Sequence, residues 1–443
     1  MVASTPTPEP RKSILRPRQP RTITPLSLDL TRRIPPEVID IIIERLVRFD
    51  IPTLATCSLV CRAWLAASRH RLFTDISLGP HNAASFLRLL DSPHVTMTPG
   101  VRHISVQNES AAISHRRARS TARGERFQCD EALLRRLAKF PSLTSLCFSW
   151  LHGLDRPAVA ALVHGFPDLT DLELRACTFP SFSQFTEVIC ALQHLRRVTL
   201  ADVSWSELQI PEFKQRVPPG LQTLELYIAP IGHVCTWLAS YSHDLHFLET
   251  VRLCSAFWED MDAISIAWML RRLGPKIKHL SLPWHLPEID LSHLTELRTL
   301  HITHFWFQAN SHAEECFTPA GVEKTLLQLS SFHLTSITYT IMPTLNEPIP
   351  ASLQLDWDKI AKILARPCFG QLTSMSFGAS GYDKVFRSLL REVWGVGRTP
   401  TQETARRSPD SARRRSHSKA RVSKRLSRLR VDESFANTKE LRV

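Results

Sequence analysis

Glycine is scarce in this chain, with 14 among 443 residues. Phosphate-cradling loops and dinucleotide fingerprints need several glycines at fixed spacing, and neither pattern occurs, so a nucleotide-binding enzyme is not expected. No apolar run approaches the roughly 20 residues that span a bilayer. The ten cysteines include no Cys-x-x-Cys pair. We expect them to be reduced, mostly buried thiols.

A secretory signal is also missing from the sequence. The first thirty residues are rich in Pro, Thr and Arg and contain no apolar segment. Secretory signals need such a segment. We therefore expect an intracellular protein, cytoplasmic, nuclear or both, with no membrane partner.

Sequence patterns for catalysis and metal binding do not occur either. There is no Gly-x-Ser-x-Gly nucleophile and no His-Glu-x-x-His motif, and the 19 histidines are scattered. Coordination needs clustered ligands at short spacing. We expect no catalytic residues, no metal and no cofactor, and hence a non-enzymatic protein.

Positive charge is concentrated at the two ends of the chain. Residues 398–430 contain twelve Lys or Arg against two acidic residues, and residues 1–33 contain seven against two. The long segment between them is nearly neutral, unlike a domain that grips nucleic acid. We expect disordered tails at 1–30 and 396–443. The C-terminal tail is a solvated segment, a signal for an import receptor, or a nonspecific phosphate contact; sequence-specific nucleic-acid recognition is not expected without aromatic residues for stacking.

A short apolar pattern repeats through the central part of the chain. The pattern is apolar-x-x-apolar-x-apolar, as in Leu143–Phe148, Leu169–Leu174, Leu195–Leu200 and Leu221–Leu226, with a step of 26 residues. Further copies begin at residues 248, 277 and 297, and weaker ones at 101, 334 and 372. The alternation predicts a short strand with one buried face.

Helical spacing precedes several of these strands. In Asp130–Phe140 the apolar residues recur as on one helix face, and Pro141 ends the segment. A helix-breaker-strand unit buries its apolar face only by stacking on its neighbours, which predicts a parallel sheet lined by helices, a solenoid. The alternative is an ordinary α/β domain with a few similar strands.

These units resemble leucine-rich repeats over roughly 100–380, through the shared Leu-x-x-Leu-x-Leu core. The family's usual Asn three residues after the strand is mostly replaced, here by Cys177, Val203 and Ala229. The resemblance therefore implies an irregular α/β solenoid, which we place at 100–395, after a linker at 79–99.

Residues 34–78 have a different pattern. Pro35 and Pro36 suit a first helical turn, and the following apolar residues cover an arc of about 240° of a helix. Two short helices follow, about 52–60 and 61–68. Cys57 and Cys61 lie one helical turn apart, and core packing is the simplest explanation for both. A unit this small is marginal alone and favours a second protein on its exposed side.

This segment resembles the F-box, through Ile34-Pro35, the ladder Val38, Ile42, Leu46, and the ending Val60-Cys61-Arg62-Ala63-Trp64 with Leu72-Phe73. The resemblance implies a trihelical F-box at 31–78 that docks on a Skp-type adaptor, which bridges to a cullin–RING ubiquitin ligase. It implies these adaptor-binding positions: Ile34, Pro35, Val38, Ile39, Ile42, Leu59, Val60, Cys61 and Trp64. The alternative is that they merely form a small helical core.

Side chains between the buried leucines of each strand point to the opposite, concave face of the sheet. Charged and aromatic residues gathered there suit recognition of a protein target, although a merely solvated face fits as well. The candidate target-binding residues are Asp171, Glu173, Arg175, Arg197, Glu225, Tyr227, Arg252, His279 and His301. The loop 107–126 is the other candidate location.

Together these features predict a substrate receptor of a Skp–cullin–F-box ubiquitin ligase. Such a receptor works by tethering, which raises the effective concentration of target lysines at the ligase. The alternatives are a repeat-based protein-binding scaffold, possibly nuclear, that never meets a ligase, and a basic-tailed nucleic-acid-associated factor.

Overall fold

The structure is a computed structural model, and it describes residues 35–46, 51–93, 95, 97–108, 129–151, 156–207, 216–227, 231–254, 260–283, 289–306, 319–342 and 356–379. The chain divides into two compact units, residues 1–72 and 73–443. The predicted tails at 1–30 and 396–443 and most of the loop 107–126 lie outside the described residues.

The described part of the N-terminal unit contains three helices, α1 (Pro36–Arg45), α2 (Ile51–Cys57) and α3 (Arg62–Thr74), the last of which runs two residues past its boundary. Pro36 occupies the first turn of α1, where its missing N–H costs no hydrogen bond. Buried Ile39, Ile43 and Leu54 form the core of the unit. Leu46, Trp64, Ala67 and Leu72 pack against that core.

The second unit contains one sheet of eleven parallel strands among its described residues. In spatial order the strands are β1 (Asp75–Leu78), β2 (His103–Gln107), β3 (Ser145–Ser149), β4 (Asp171–Arg175), β6 (Arg197–Ala201), β8 (Thr223–Tyr227), β9 (Thr250–Leu253), β10 (His279–Pro283), β11 (Thr299–Trp306), β12 (Ser336–Met342) and β13 (Ser374–Ala379). A second, two-stranded parallel sheet pairs β5 (Thr178–Ser181) with β7 (Ser204–Glu207).

Each predicted copy of the apolar pattern overlaps one strand of the large sheet. The middle apolar residues of successive copies lie side by side, as Leu146, Leu172, Val198 and Leu224 do. All four are buried in one continuous core that runs along the unit. The parallel α/β solenoid predicted from the repeats is therefore the observed architecture.

Helices pack on the apolar side of this sheet. They are α4 (Ala83–Leu90), α5 (Glu131–Leu137), α6 (Arg156–Gly165), α7 (Phe182–Ala191), α8 (Ile231–Ser240), α9 (Asp260–Leu273), α10 (Pro319–Gln328) and α11 (Trp357–Leu364). Side-chain caps begin several of them: Asp130 accepts the Leu133 N–H at 2.8 Å, and Ser181 accepts the Gln184 N–H at 3.2 Å. Gly274 follows α9, where a Cβ would lie 2.9 Å from the His293 carbonyl oxygen.

Hydrogen bonds connect neighbouring repeats even where the asparagine typical of leucine-rich repeats is replaced. Cys177 is buried, and its backbone carbonyl accepts the Ser204 N–H of the next repeat at 2.9 Å. At the other end of the strands, threonine hydroxyls bridge neighbouring repeats, as from Thr335 to the Arg298 carbonyl at 3.0 Å. The same bridge runs from Thr373 to the Thr335 carbonyl at 2.9 Å. The replaced asparagines therefore leave the stack of repeats connected by other donors.

The turns after three neighbouring strands share one conformation. Trp150, Ala176 and Asp202 have φ of 64°, 48° and 56°, the left-handed region that side chains disfavour. Each donates its N–H to the last carbonyl of the next strand, as Ala176 does to Ala201 at 2.7 Å. The shared hydrogen bond holds this strained turn in the same place in each repeat.

The solenoid begins earlier than the sequence indicated. β1 pairs with β2 in parallel and in register, Ile76 opposite Ile104. The segment predicted as a linker, 79–99, contains α4, whose Leu90 is buried in the solenoid core. The predicted F-box boundary at residue 78 therefore overlaps the first strand of the repeats.

Candidate functional site

The N-terminal unit leaves large aliphatic side chains exposed. We call this set the aliphatic surface: Val38, Ile41, Ile42, Ile51, Leu59 and Val60, which are between 40% and 85% exposed. In the described part of this unit only three large aliphatic residues are buried, namely Ile39, Ile43 and Leu54. More aliphatic side chains thus face outward than inward, the reverse of a self-sufficient core.

Helix α1 shows how the sequence produces this surface. Ile39 and Ile43, one turn apart, face the core. Val38 and Ile42 form a parallel row on the next face, and Ile41 lies beside it, all exposed. The core therefore covers only one side of the wide apolar arc of α1.

The predicted adaptor-binding positions divide into two groups in the structure. Pro35, Val38, Ile42, Leu59, Val60 and Cys61 are exposed. Ile39 is buried at 6% exposure and Trp64 is half-buried against the core, so both support the surface from beneath. The expectation that Cys61 packs in the core is wrong, since its side chain is exposed while that of Cys57 is buried.

Three residues complete this comparison. Ile34 lies outside the described residues. Ile41 and Ile51 belong to the aliphatic surface but were not among the predicted contacts. The sequence indicates Ile41 through its place in the apolar arc of the first helix. Ile51 comes after residues 47–50, outside that arc, and no apolar spacing in the sequence marks it as a contact.

The second candidate surface is the polar face of the large sheet, formed by the residues between the buried leucines. Strand registers place Glu173, Thr199, Glu225 and Arg252 in one row across β4, β6, β8 and β9. The burial pattern of β4 alternates between half-exposed and buried residues. The nine predicted target-binding residues all lie on this face.

Ion pairs cross this face between neighbouring strands. The Arg197 Nε lies 3.5 Å from Asp171 Oδ1, and the Arg252 Nη1 donates to Glu225 Oε1 at 2.8 Å. Within β4, Arg175 is paired with Glu173. The charged residues therefore neutralise one another locally rather than forming a field of one sign.

A shallow depression of about 220 Å³ lies on the polar face. Its lining residues are Ser145, Asp171, Leu172, Glu173, Arg175, Arg197, Thr199, Ala201, Glu225 and Tyr227. Six predicted target-binding residues are thus brought around one depression. Arg252 reaches it by its pair with Glu225. His279 and His301 lie on β10 and β11 and do not line it.

Hydrogen bonds fix the polar side chains around and beyond the depression. The Tyr227 hydroxyl donates to Glu225 at 3.1 Å. Burial and the neighbouring acidic groups raise the pKa of Tyr227 well above its usual range, so it acts as a neutral donor. His279 Nδ1 lies 2.9 Å from the Thr299 hydroxyl, and burial together with Arg298 lowers the pKa of its imidazole.

Two buried thiols of the solenoid, Cys147 and Cys177, are held in the protonated form. Burial raises the pKa of Cys147 to about 11 and that of Cys177 to about 12. Thiols with such pKa values stay protonated near neutral pH. The described residues contain no group of three or more His, Cys, Asp or Glu placed to hold a metal ion. The described helices are all too short or too polar to cross a membrane.

Comparison with known proteins gives distant structural likeness only. No protein-family model and no curated protein matches the chain. The fold is similar to a chain of the yeast Rad7 and Elc1 complex, at 12% identity and TM-score 0.35, covering 77% of this chain and 75% of that one. A Bacteroides fragilis protein is similar at 14% identity and TM-score 0.33, covering 72% and 77%.

A chain of the TLR13 complex with ssRNA13 is similar at 12% identity and TM-score 0.31, covering 73% of this chain and 50% of that one. Likenesses at these scores are too distant to assign a function. The features that bear on function are therefore the two surfaces of the chain itself.

Proposed function

We propose that this chain is the substrate-recognition subunit of a Skp–cullin–F-box ubiquitin ligase. Its N-terminal unit binds a Skp-type adaptor, and the polar face of its solenoid holds a protein target. The chain supplies no bond chemistry. It tethers the target so that lysines of the target meet the ubiquitin-conjugating enzyme at raised effective concentration.

The aliphatic surface is the observation that carries this proposal. A contiguous chain segment of about forty residues that exposes more large aliphatic side chains than it buries gains stability when another protein covers them. Burial of one such side chain contributes about 1.5–3 kcal/mol when it is complete. The order of the exposed residues matches the F-box pattern read from the sequence, from Pro35 and Val38 to Val60 and Cys61.

The solenoid supports the second half of the proposal. A sheet of eleven parallel strands offers a long, rigid surface, and rigid elements position recognition side chains more precisely than loops do. Such a surface equally suits a protein-binding scaffold that has no ligase partner. The aliphatic surface favours the receptor, because a free scaffold gains nothing from leaving these residues uncovered.

Binding of the full-length chain to a purified Skp-type adaptor tests the proposal. We expect a stable complex at near-micromolar concentrations, and a ternary complex after a cullin is added. Titration calorimetry and size-exclusion chromatography measure both steps. Absence of adaptor binding by a folded chain would leave the scaffold as the better explanation.

A further inference from the structure

The three ion pairs of the polar face are unequal in exposure. Side chains of Arg197 and Asp171 are 58% and 39% exposed, and those of Arg252 and Glu225 are 53% and 13% exposed. Arg175 is likewise more exposed than Glu173. In every pair the arginine side chain is therefore more exposed than the acidic side chain.

The carboxylates of Asp171 and Glu225 each have a second partner within the protein besides the paired arginine. Asp171 accepts the Thr170 hydroxyl at 2.7 Å in addition to its arginine. Glu225 accepts both Arg252 Nη1 and the Tyr227 hydroxyl. A guanidinium has five N–H donors, and the contacts within the described residues use one or two on each arginine. Most N–H donors of these three arginines are consequently not used by contacts within the described residues.

The arrangement spans the length of a short extended peptide. Arg175 and Arg197 lie on β4 and β6, and Arg252 lies on β9, three strand spacings from β4. At about 4.8 Å per spacing this is about 14 Å across the sheet, and Arg175 and Arg197 are offset by four residues, about 13 Å, along the strands, so a segment of about seven or eight extended residues reaches all three arginines. The depression lies between these arginines, with small Ala201 in its lining.

We infer that this face binds an acidic segment of the target, with side-chain carboxylates of that segment accepting hydrogen bonds from Arg175, Arg197 and Arg252. The inference rests on the proposed receptor function and names the chemistry of its target. Because the arginine side chains are the more exposed members of the pairs, a ligand carboxylate that arrives from solvent meets a guanidinium before it meets the paired carboxylate. Coulomb attraction falls with distance, so attraction exceeds repulsion there. A basic segment would first have to displace the arginines.

Fluorescence anisotropy with the full-length chain tests this inference. The probe is a short labelled peptide of alternating Glu and Ser, compared with Gln–Ser and Lys–Ser peptides and with oligouridine. We expect the Glu–Ser peptide to bind most tightly, and its affinity to fall as salt rises. Each of the substitutions Arg175→Gln, Arg197→Gln and Arg252→Gln should weaken it by up to about fivefold, the range of an exposed ion pair.

Two further variants sharpen the test. Arg135→Gln on α5 removes another exposed, ion-paired arginine, away from the strands of the polar face, and should leave peptide affinity unchanged. Glu173→Gln frees Arg175 and removes an inner negative charge, so it should tighten binding of the Glu–Ser peptide. A surface that reads basic segments through its carboxylates would lose affinity in Glu173→Gln instead.

The inference is overturned if the Glu–Ser peptide does not bind, if the Gln–Ser or Lys–Ser peptide or oligouridine binds as tightly, or if Glu173→Gln weakens binding. Adaptor binding is measured on the same proteins. Retained adaptor binding with no acidic-peptide binding counts against this inference alone. If the wild-type chain does not bind the adaptor, the result counts against the proposed receptor function.

Discussion

Leu59→Asp is the substitution that best tests whether the aliphatic surface binds the adaptor. Leu59 lies in the turn after α2 and is 85% exposed, so its side chain contributes almost nothing to the core of the unit. Surface substitutions of this kind usually change the free energy of unfolding by no more than about 0.5 kcal/mol. We expect the thermal unfolding midpoint of the variant to match that of the wild type.

Binding of the adaptor should respond very differently. A leucine that becomes buried at the interface contributes about 1.5–3 kcal/mol. A carboxylate placed there instead loses its hydration without a partner, which costs at least about 2 kcal/mol more. The sum is about 4 kcal/mol, a loss of about a thousandfold in Kd. Titration calorimetry with a purified Skp-type adaptor measures this loss.

Two control variants separate binding from folding. Leu327→Asp changes an equally apolar, exposed leucine on α10 of the solenoid and should leave adaptor affinity intact. Ile39→Asp places a charge in the core and should unfold the N-terminal unit. If Leu59→Asp binds the adaptor with wild-type affinity, then the aliphatic surface is not the adaptor site, and the argument from exposure fails.

The remaining predictions concern contacts between neighbouring repeats, measured by hydrogen exchange because repeats unfold locally. Arg366→Met should weaken protection of α10 by about 1–3 kcal/mol, since the Arg366 guanidinium donates to carbonyls at the end of that helix, the shortest contact being 2.9 Å. Gly232→Ala should destabilise α8 by about 1–2 kcal/mol, because its Cβ would lie 2.7 Å from the Asp262 carboxylate that accepts the residue 232 N–H. Lys359→Met should destabilise α11 more than Glu323→Gln does, since it leaves the nearly buried Glu323 carboxylate without its cation.

The repeats could be predicted from the sequence because each strand has the same alternation and the same neighbours. One copy was missed although its signal is present. Phe73-Thr-Asp-Ile76-Ser-Leu78 has the repeat pattern, and Ile76 and Leu78 are buried in β1. Because Leu72 and Phe73 also match the end of the F-box pattern, the sequence pattern places this strand in the N-terminal unit, whereas the structure places it in the solenoid.

The small sheet of β5 and β7 could not be predicted in the same way. Its strands are four residues long, and one contains Pro180. Their pairing depends on two preceding turns in the left-handed conformation, at Ala176 and Asp202. Local sequence does not mark both turns, because neither residue is glycine, and of the two only Asp202 is of a type that favours this conformation.

The ion pairs of the polar face were implicit in the repeat length. Arg197 follows Asp171 by 26 residues and Arg252 follows Glu225 by 27, which are the repeat steps at those points. Residues one repeat apart are neighbours across two strands, so opposite charges at that distance predict a pair. Which member of each pair lies outermost depends on side-chain packing, and only the structure shows it.

The two surfaces of this chain differ in the force that each can use. The aliphatic surface offers no charged group among its six side chains, so a partner held there is held by apolar burial, which salt does not screen. The polar face offers arginines that are largely exposed, and charges in water are screened within about 10 Å at 0.1 M salt. Under the proposed receptor function, a rise in ionic strength should release the target while the adaptor stays bound. The proposal thereby assigns attachment to a ligase and reversible capture of a target to different physical interactions.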